Sequence, residues 1–347
     1  MKKHLLLLSL LLALNGLVAT AKNYKVYGVG FYNLENLFDT QHDEGKNDYQ
    51  FLPDGSYKWN DLKYQHKLRN LAQVLSEMGT DVLPGIGCAV IGVSEVENAH
   101  CLEDLCNQPG LVERNFQFCH IEGPDKRGVD CGLLYNPRLF KVRNVTLTPY
   151  VYELEQDKDR ATRGFLTVSG TLAGEHVAII VNHWPSRFSE SYYRECAGRQ
   201  CRAVKDSLLR DDPNVKVIVM GDMNDDPTNK SMMEGLSCKA EVKDLTPGDM
   251  YNPWYNVLVK KKTGTLQYDG RWNLFDQIVM TPNLVNQGKK DFSSLKLFKY
   301  HVFRRDYLFQ TEGKYKGGTK RTHAGGVWLD GYSDHLPTVI YLMKEKQ

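Results

Sequence analysis

The residues best suited to chemistry in this chain sit just past apolar runs. VIVMGDMNDDP (217–227) leaves a buried-looking run through Gly221 and then crowds Asp222, Asn224, Asp225 and Asp226 together. AVIGVSEVEN ends in Glu95, Glu97 and Asn98, VAIIVNHWPSR in Asn182, His183 and Arg187, and YGVGFYN in Asn33. FDQIV opens with Asp276, and SDHLP places Asp334 and His335 ahead of the last apolar run. Carboxylate and carboxamide oxygens without thiolates suit a hard divalent cation, Mg²⁺ or alternatively Mn²⁺. Imidazoles beside carboxylates suit proton transfer near neutral pH. Like charges this close repel, so a cation and an anionic, phosphate-bearing substrate would complete the group.

Each fragment alone has a plainer reading. DMNDDP could cap a helix after a strand. Its alternating Asp222, Asn224 and Asp226 resemble a calcium loop, but Pro227 stands where that loop needs glycine and Met233 where it needs glutamate. Ser333, Asp334 and His335 are the residue types of a hydrolytic triad, yet sequence neighbours do not form one and there is no GxSxG elbow. No P-loop, GxGxxG fingerprint or CxxC pair occurs, which removes nucleotide-cofactor chemistry and a thiolate zinc site. The conjunction of the fragments at strand ends carries the weight, because strand ends at one edge of a layered fold share a surface.

The elements that must position these residues are mostly short strands. Residues 24–32, CAVIGVSEV, FQFCHI, CGLLYN, 141–152, 163–172, 176–182, VKVIVMG, FDQIVMT and PTVIYLM read as strands. Residues 61–78 carry Leu62, Leu68, Leu71, Leu75 and Met78 near helical spacing, with Asn60 or Asp61 as cap and Gly79 as stop; 189–210 reads as a second helix. Strand–helix–strand blocks fall in two successive halves, which suggests packed sheets with helices outside. Residues 244–273 and 299–330 read as long loops, and loops of that length are often functional.

The 347 residues are 41% hydrophobic and 11% aromatic, enough for a substantial core. Residues 1–21 (MKKHLLLLSLLLALNGLVATA) have the charge, apolar run and small-residue end of a signal peptide, so 22–347 are expected to be one exported catalytic domain, periplasmic or extracellular. The apolar run is too short for a membrane span and is broken by Asn15 and Gly16, so no stable membrane insertion is expected. Loss of Lys2 and Lys3 leaves 42 basic and 42 acidic residues, so any grip on a polyanion must be local. Eight cysteines remain; Cys101/Cys106 and Cys196/Cys201 are close enough to pair if oxidised, and free buried thiols are an equal alternative.

FYNLENLF, GVSEVEN, RGVDCGLLYN, VNHWPSR, GDMND, FDQIV and SDHLP, in this order from about residue 24 to 343, resemble the endonuclease/exonuclease/phosphatase superfamily. The resemblance implies an α/β fold of deoxyribonuclease I type: a four-layer α/β sandwich with two packed mixed β-sheets. It also implies metal-dependent cleavage of a phosphate ester. By motif, Glu95 would bind the metal with Asn33 beside it and Asp334 close by. Asp222, as general base, and Asn224 would position water and phosphate. His335, oriented by Asp276, would stand at the scissile phosphate. His183 would be a second histidine with Asp130 as its carboxylate partner, and Asn182 could face the phosphate.

Arg187 and Arg127 are candidate phosphate ligands, since arginine suits bidentate phosphate contacts; either could instead be a surface ion pair. Residues 299–321 carry seven basic and two acidic residues interleaved with Tyr300, Phe303, Tyr307, Phe309 and Tyr315, a composition that can track a nucleic-acid strand. The expected activity is therefore that of an exported Mg²⁺-dependent phosphodiesterase, an endonuclease in preference to a phosphatase or a lipid or inositol phosphodiesterase. A non-catalytic binding protein on the same fold is a second alternative. Oligomeric state and the choice between DNA and RNA do not follow from the residues.

Overall fold

The computed structural model describes residues 23–268, 270–313 and 315–346; the expected signal peptide lies outside them. The strands are β1 (Tyr24–Leu37), β2 (Cys88–Val96), β3 (Gln117–His120), β4 (Asp130–Tyr135), β5 (Phe140–Thr148), β6 (Phe165–Leu172), β7 (Glu175–His183), β8 (Lys216–Asp222), β9 (Cys238–Lys239), β10 (Met250–Tyr251), β11 (Leu266–Tyr268), β12 (Arg271–Asn273), β13 (Asp276–Met280), β14 (Lys296–Val302), β15 (His323–Ala324), β16 (Val327–Trp328) and β17 (Thr338–Glu345). The helices are α1 (Asp61–Glu77), α2 (Ala99–Cys106), α3 (Pro109–Val112), α4 (Ser191–Asp211) and α5 (Trp254–Val259).

Two mixed sheets form the centre. One has six strands in the order β14-β17-β1-β2-β4-β3; the other has seven, β5-β6-β7-β8-β13-β10-β9. Strands β1, β2 and β17 touch β7, β8 and β13, so the sheets stack face to face. Their inner faces interlock at Gly92 of β2: a Cβ there would fall 2.4 Å from Met220 Sδ of β8. The long apolar runs AVIGV and VIVMG thus have both faces covered, which is why they do not alternate with polar residues.

Helix α1 starts where Asn60 accepts a hydrogen bond from the Lys63 N–H and buries Leu68, Leu71, Val74 and Leu75 on the first sheet's side. It ends at Gly79, whose φ of +83° costs glycine nothing. Helix α4 lies on the other side and buries Tyr193, Cys196, Ala197 and Cys201. Helix–sheet–sheet–helix layers result, as expected. The region read as a loop at 244–273 instead holds β10, α5 and the β11–β12 hairpin, and Trp254 within it is fully buried. Among the described residues no helix is long and apolar enough to cross a membrane. All eight cysteines are free thiols, seven of them buried and Cys106 half-buried, the second of the two alternatives the sequence left open.

Candidate active site

Strand register assembles half of the site. His183, Asp222 and Asp276 stand in one row across β7, β8 and β13, because His183 pairs with Asp222 and Asp222 with Asp276. The facing sheet supplies the rest. Asn33 of β1 is level with Ser94 of β2, and the β2–β4 register slips between Ser94 and Val96. At that bulge Glu95 takes φ +60°, and Asn224, two residues past β8, takes φ +50°. Left-handed backbone at non-glycine residues is uncommon and is held only where the surroundings demand it. Both residues line the cleft described below, and the Asn224 amide donates to the Trp184 carbonyl at 3.0 Å.

Asn33 ties the two halves together. Its Nδ2 donates to Glu95 Oε1 at 3.2 Å and to Asp222 Oδ2 at 3.1 Å. Its Oδ1 accepts from the Glu35 N–H at 2.8 Å, so Asn33, placed beside Glu95 as expected, clips the two carboxylates together. His183 Nε2 lies 3.6 Å from Glu95 and 3.7 Å from Asp222. His335 Nδ1 meets Asp276 Oδ2 at 2.8 Å, and its Nε2 stands 3.8 Å from both Asp222 Oδ2 and Asp334 Oδ1. Ser333 Oγ fixes this segment by donating to the Asn33 carbonyl and accepting from the His335 N–H.

The two imidazoles are driven apart. Burial, then the positive charges of Arg163, Arg127 and His335, hold the His183 pKa well below the usual value. Burial also opposes charging of His335, but Asp276, Asp222 and Asp334 outweigh it and hold that pKa well above the usual value. Burial pushes Asp222 up to about 7, with the His335 charge pulling the other way and Asp276 and Glu95 reinforcing it. One neutral and one charged imidazole around a carboxylate able to exchange a proton near neutrality is an acid–base arrangement.

A cleft of about 690 Å³ opens over these groups. Lys126, Arg127, Arg160, Arg163 and Arg321 line it with positive charge. Arg127 is half exposed and lines the cleft, and its Nε pairs with Asp125 Oδ1 at 3.7 Å, the ion-pair alternative its sequence allowed. Arg187 lines the cleft but is committed elsewhere: it donates to the Asn224 carbonyl, Asn273 Oδ1 and Asp226 Oδ2. Asn182 does not face the cleft either. It is fully buried, donates to the Ile180 and Met220 carbonyls and accepts from the Trp184 indole.

The expected Asp130–His183 pair does not form. Asp130 turns toward the neighbouring strand, accepting from the Gly123 N–H and meeting His120 Nε2 at 3.1 Å. His183 Nδ1 is buried without a partner. Three residues escaped sequence reasoning. Arg163 donates to the His183 and Trp184 carbonyls and pairs with Asp125 at 3.1 Å, fixing the backbone that carries His183. Arg321 holds Asp334 at 2.5 Å and Glu35 at 3.3 Å. Lys67 of α1, fully buried, reaches Thr322 Oγ1 and the Tyr332 carbonyl behind them. No local sequence signal marks these residues, because each partner is far along the chain.

Glu95, His183 and Asp222 offer ligand atoms within 4.8 Å of one another. Two carboxylates drawn together by a single amide, at the floor of a cleft, fit a hard divalent cation. Two other groupings among the described residues, Asp39–Glu97–Cys101 and His120–Glu122–Asp130, do not line the cleft.

Residues 28–344 match the family model described as the Endonuclease/Exonuclease/phosphatase family. No curated protein matches. Among solved structures, ANGEL2, a 2′,3′-cyclic phosphatase, aligns with TM-score 0.61 at 11% identity, over 94% of this chain and 99% of that one. A mannosyl-6-phosphatase of Bacteroides thetaiotaomicron aligns at 0.55 and 16%, over 91% and 99%. TDP2 of D. rerio with a single-strand DNA product aligns at 0.54 and 12%, over 92% and 99%. These likenesses bear out the deoxyribonuclease I-like architecture.

Proposed function

Since the chain belongs to the endonuclease/exonuclease/phosphatase family, whose members hydrolyse phosphoric esters, we propose that it is a Mg²⁺-dependent phosphodiesterase acting on nucleic acid. We further propose that residues 1–21 export it to the periplasm or beyond. The observation that carries the substrate reading is the cleft's polarity. Carboxylates and imidazoles lie at its floor, and Lys126, Arg127 and Arg160 stand along a wall that also presents aromatic rings. A strand with several phosphates can place one at the floor and others along that wall. The likeness to TDP2 with its DNA product agrees with this.

Glu95 and Asp222 are the residues that would hold the cation, with Asp334 beside them. A divalent cation held by these residues would supply positive charge to the phosphate and so lower the repulsion that a phosphodiester offers a nucleophile. Asp222 would also be placed to take a proton from the attacking water. His335, kept charged by Asp276, faces the developing negative charge through Nε2. His183, neutral and buried, donates a hydrogen bond from Nε2 while Arg163 fixes its backbone.

A substrate panel tests the reading. Mature protein with Mg²⁺ should cut an oligonucleotide or plasmid, and chelator should stop it. Hydrolysis of a sugar phosphate, phosphoinositide or sphingomyelin with nucleic acid left intact would refute it in favour of a phosphatase or lipid phosphodiesterase. The mannosyl-6-phosphatase likeness makes a sugar phosphate the first alternative to assay. No turnover with Mg²⁺, Mn²⁺ or Ca²⁺ would favour a binding protein.

A further inference from the structure

Phe188 is 100% exposed, although it stands on a turn lining the cleft above the carboxylates. A phenyl ring in water is unfavourable, and one isolated ring of this kind is unremarkable on a floppy surface. This turn is fastened. Ser189 N–H closes it on the Ser186 carbonyl. Arg194, itself buried, donates to the Ser186 and Ser189 carbonyls and pairs with Asp225 at 2.9 Å. Arg187, next to Phe188, bonds the Asn224 carbonyl and Asp226, and its guanidinium lies 4.3 Å from the Phe275 ring centre.

Arg187 also reaches Asn273 of the β11–β12 hairpin. Asn273 pairs with Leu266, which bridges to His335, and the same strand ends in Tyr268, 46% exposed and also lining the cleft. One guanidinium therefore ties together the turn bearing Phe188, the loop after Asp222 and the hairpin bearing Tyr268. The backbone that carries these two accessible aromatic rings is anchored beside the catalytic residues. Lys126, Arg127 and Arg160 line the same cleft.

We infer that Phe188, assisted by Tyr268, is a stacking platform for an unpaired nucleobase of a nucleotide flanking the scissile phosphate. The inference rests on the nucleic-acid reading above and narrows it. A base inside a duplex already has both faces covered and offers none to Phe188; a base in a single strand or frayed end does. The two arginines fix the turn that carries Phe188, so its backbone needs no ordering when substrate arrives. The committed substrate is a single-stranded or end-frayed nucleic acid.

The test compares the wild type and Phe188→Ala on two single strands with Mg²⁺, one with ordinary bases and one with the same backbone made of abasic tetrahydrofuran units. A duplex serves as the third substrate. The wild type should prefer the base-bearing strand over both. Phe188→Ala should lower kcat/KM on it about ten-fold, equivalent to about 1.4 kcal/mol, mostly through KM, and change the abasic strand less than about two-fold. Phe188→Trp should restore activity. In chelator, a strand carrying 2-aminopurine should be quenched on binding to the wild type and not to Phe188→Ala. Folding does not confuse the result, because the ring touches nothing. Equal loss on both strands, or none on either, overturns the inference while leaving the nuclease reading intact. If the wild type cuts no strand yet hydrolyses a sugar phosphate, both fall.

Discussion

Asp276 is fully buried and accepts the 2.8 Å hydrogen bond from His335 Nδ1. Its Oδ1 has no partner, so that bond is the main service it performs. Asp276→Asn keeps the shape and removes the charge. A hydrogen bond to a charged group contributes about 1.5–3 kcal/mol net, and about 1.4 kcal/mol is a factor of ten. The His335 imidazolium should lose that much support, and turnover should fall roughly 10- to 150-fold with KM little changed. The discriminating assay is a double-mutant cycle on kcat at neutral pH. If Asp276 acts through His335, then Asp276→Asn on a His335→Ala background should add almost nothing, because groups acting as a unit are non-additive. Two losses that multiply would refute the reasoning and give Asp276 an independent role.

Asn33→Ala removes the clip between Glu95 and Asp222; we expect at least a ten-fold fall in kcat/KM and a higher Mg²⁺ concentration for half-maximal activity, read from a metal titration. Arg163→Met removes the buried ion-pair partner of Asp125 and the donors to two backbone carbonyls, and loss of one partner of a buried pair costs up to about 3–5 kcal/mol, so denaturant unfolding should shift to lower midpoint. Burial first, and then the carboxylates of Asp39, Asp43 and Asp48, push Glu97 up from 4.5 to about 9, against the Asp39 N–H that it accepts from. Its protonated form is favoured in the fold, so this contribution is intact below pH about 4.5 and is lost as pH rises toward 9. Thermal unfolding of Glu97→Gln in chelator should therefore depend less on pH in that window and be more resistant at its alkaline end; an unchanged pH profile would contradict this.

Much of the fold was readable because its central strands are long apolar runs ending in polar clusters, and because Asn60 and Gly79 punctuate α1 as capping chemistry requires. The site was readable where a motif names its own element: Asp276, Asp222 and His183 each close or open a strand, and register alone places them in a row. What was not readable is which way a side chain turns and who receives it. Asp130 stands at the head of a strand beside the cleft, yet it faces His120 and the Gly123 N–H. Arg187 has the charge for phosphate but stands where Asp225, Asp226 and Asn273 converge. Arg163, Arg321 and Lys67 act through partners that only the folded chain brings near. The basic stretch at 299–321 contributes Arg321 to the cleft, while Arg304 stacks on Trp272 and Phe309 away from it.

Glu95 and Asp222 come from two different sheets, and a divalent ion gathered between them is central to the proposed chemistry. Crystals grown with Mn²⁺ and measured for anomalous scattering address it directly. A peak bonded to Glu95 within about 2.0–2.2 Å, close to Asp222 and absent from Glu95→Gln crystals, is the expected result. Manganese bound only elsewhere, or retained unchanged at this position by Glu95→Gln, would contradict it.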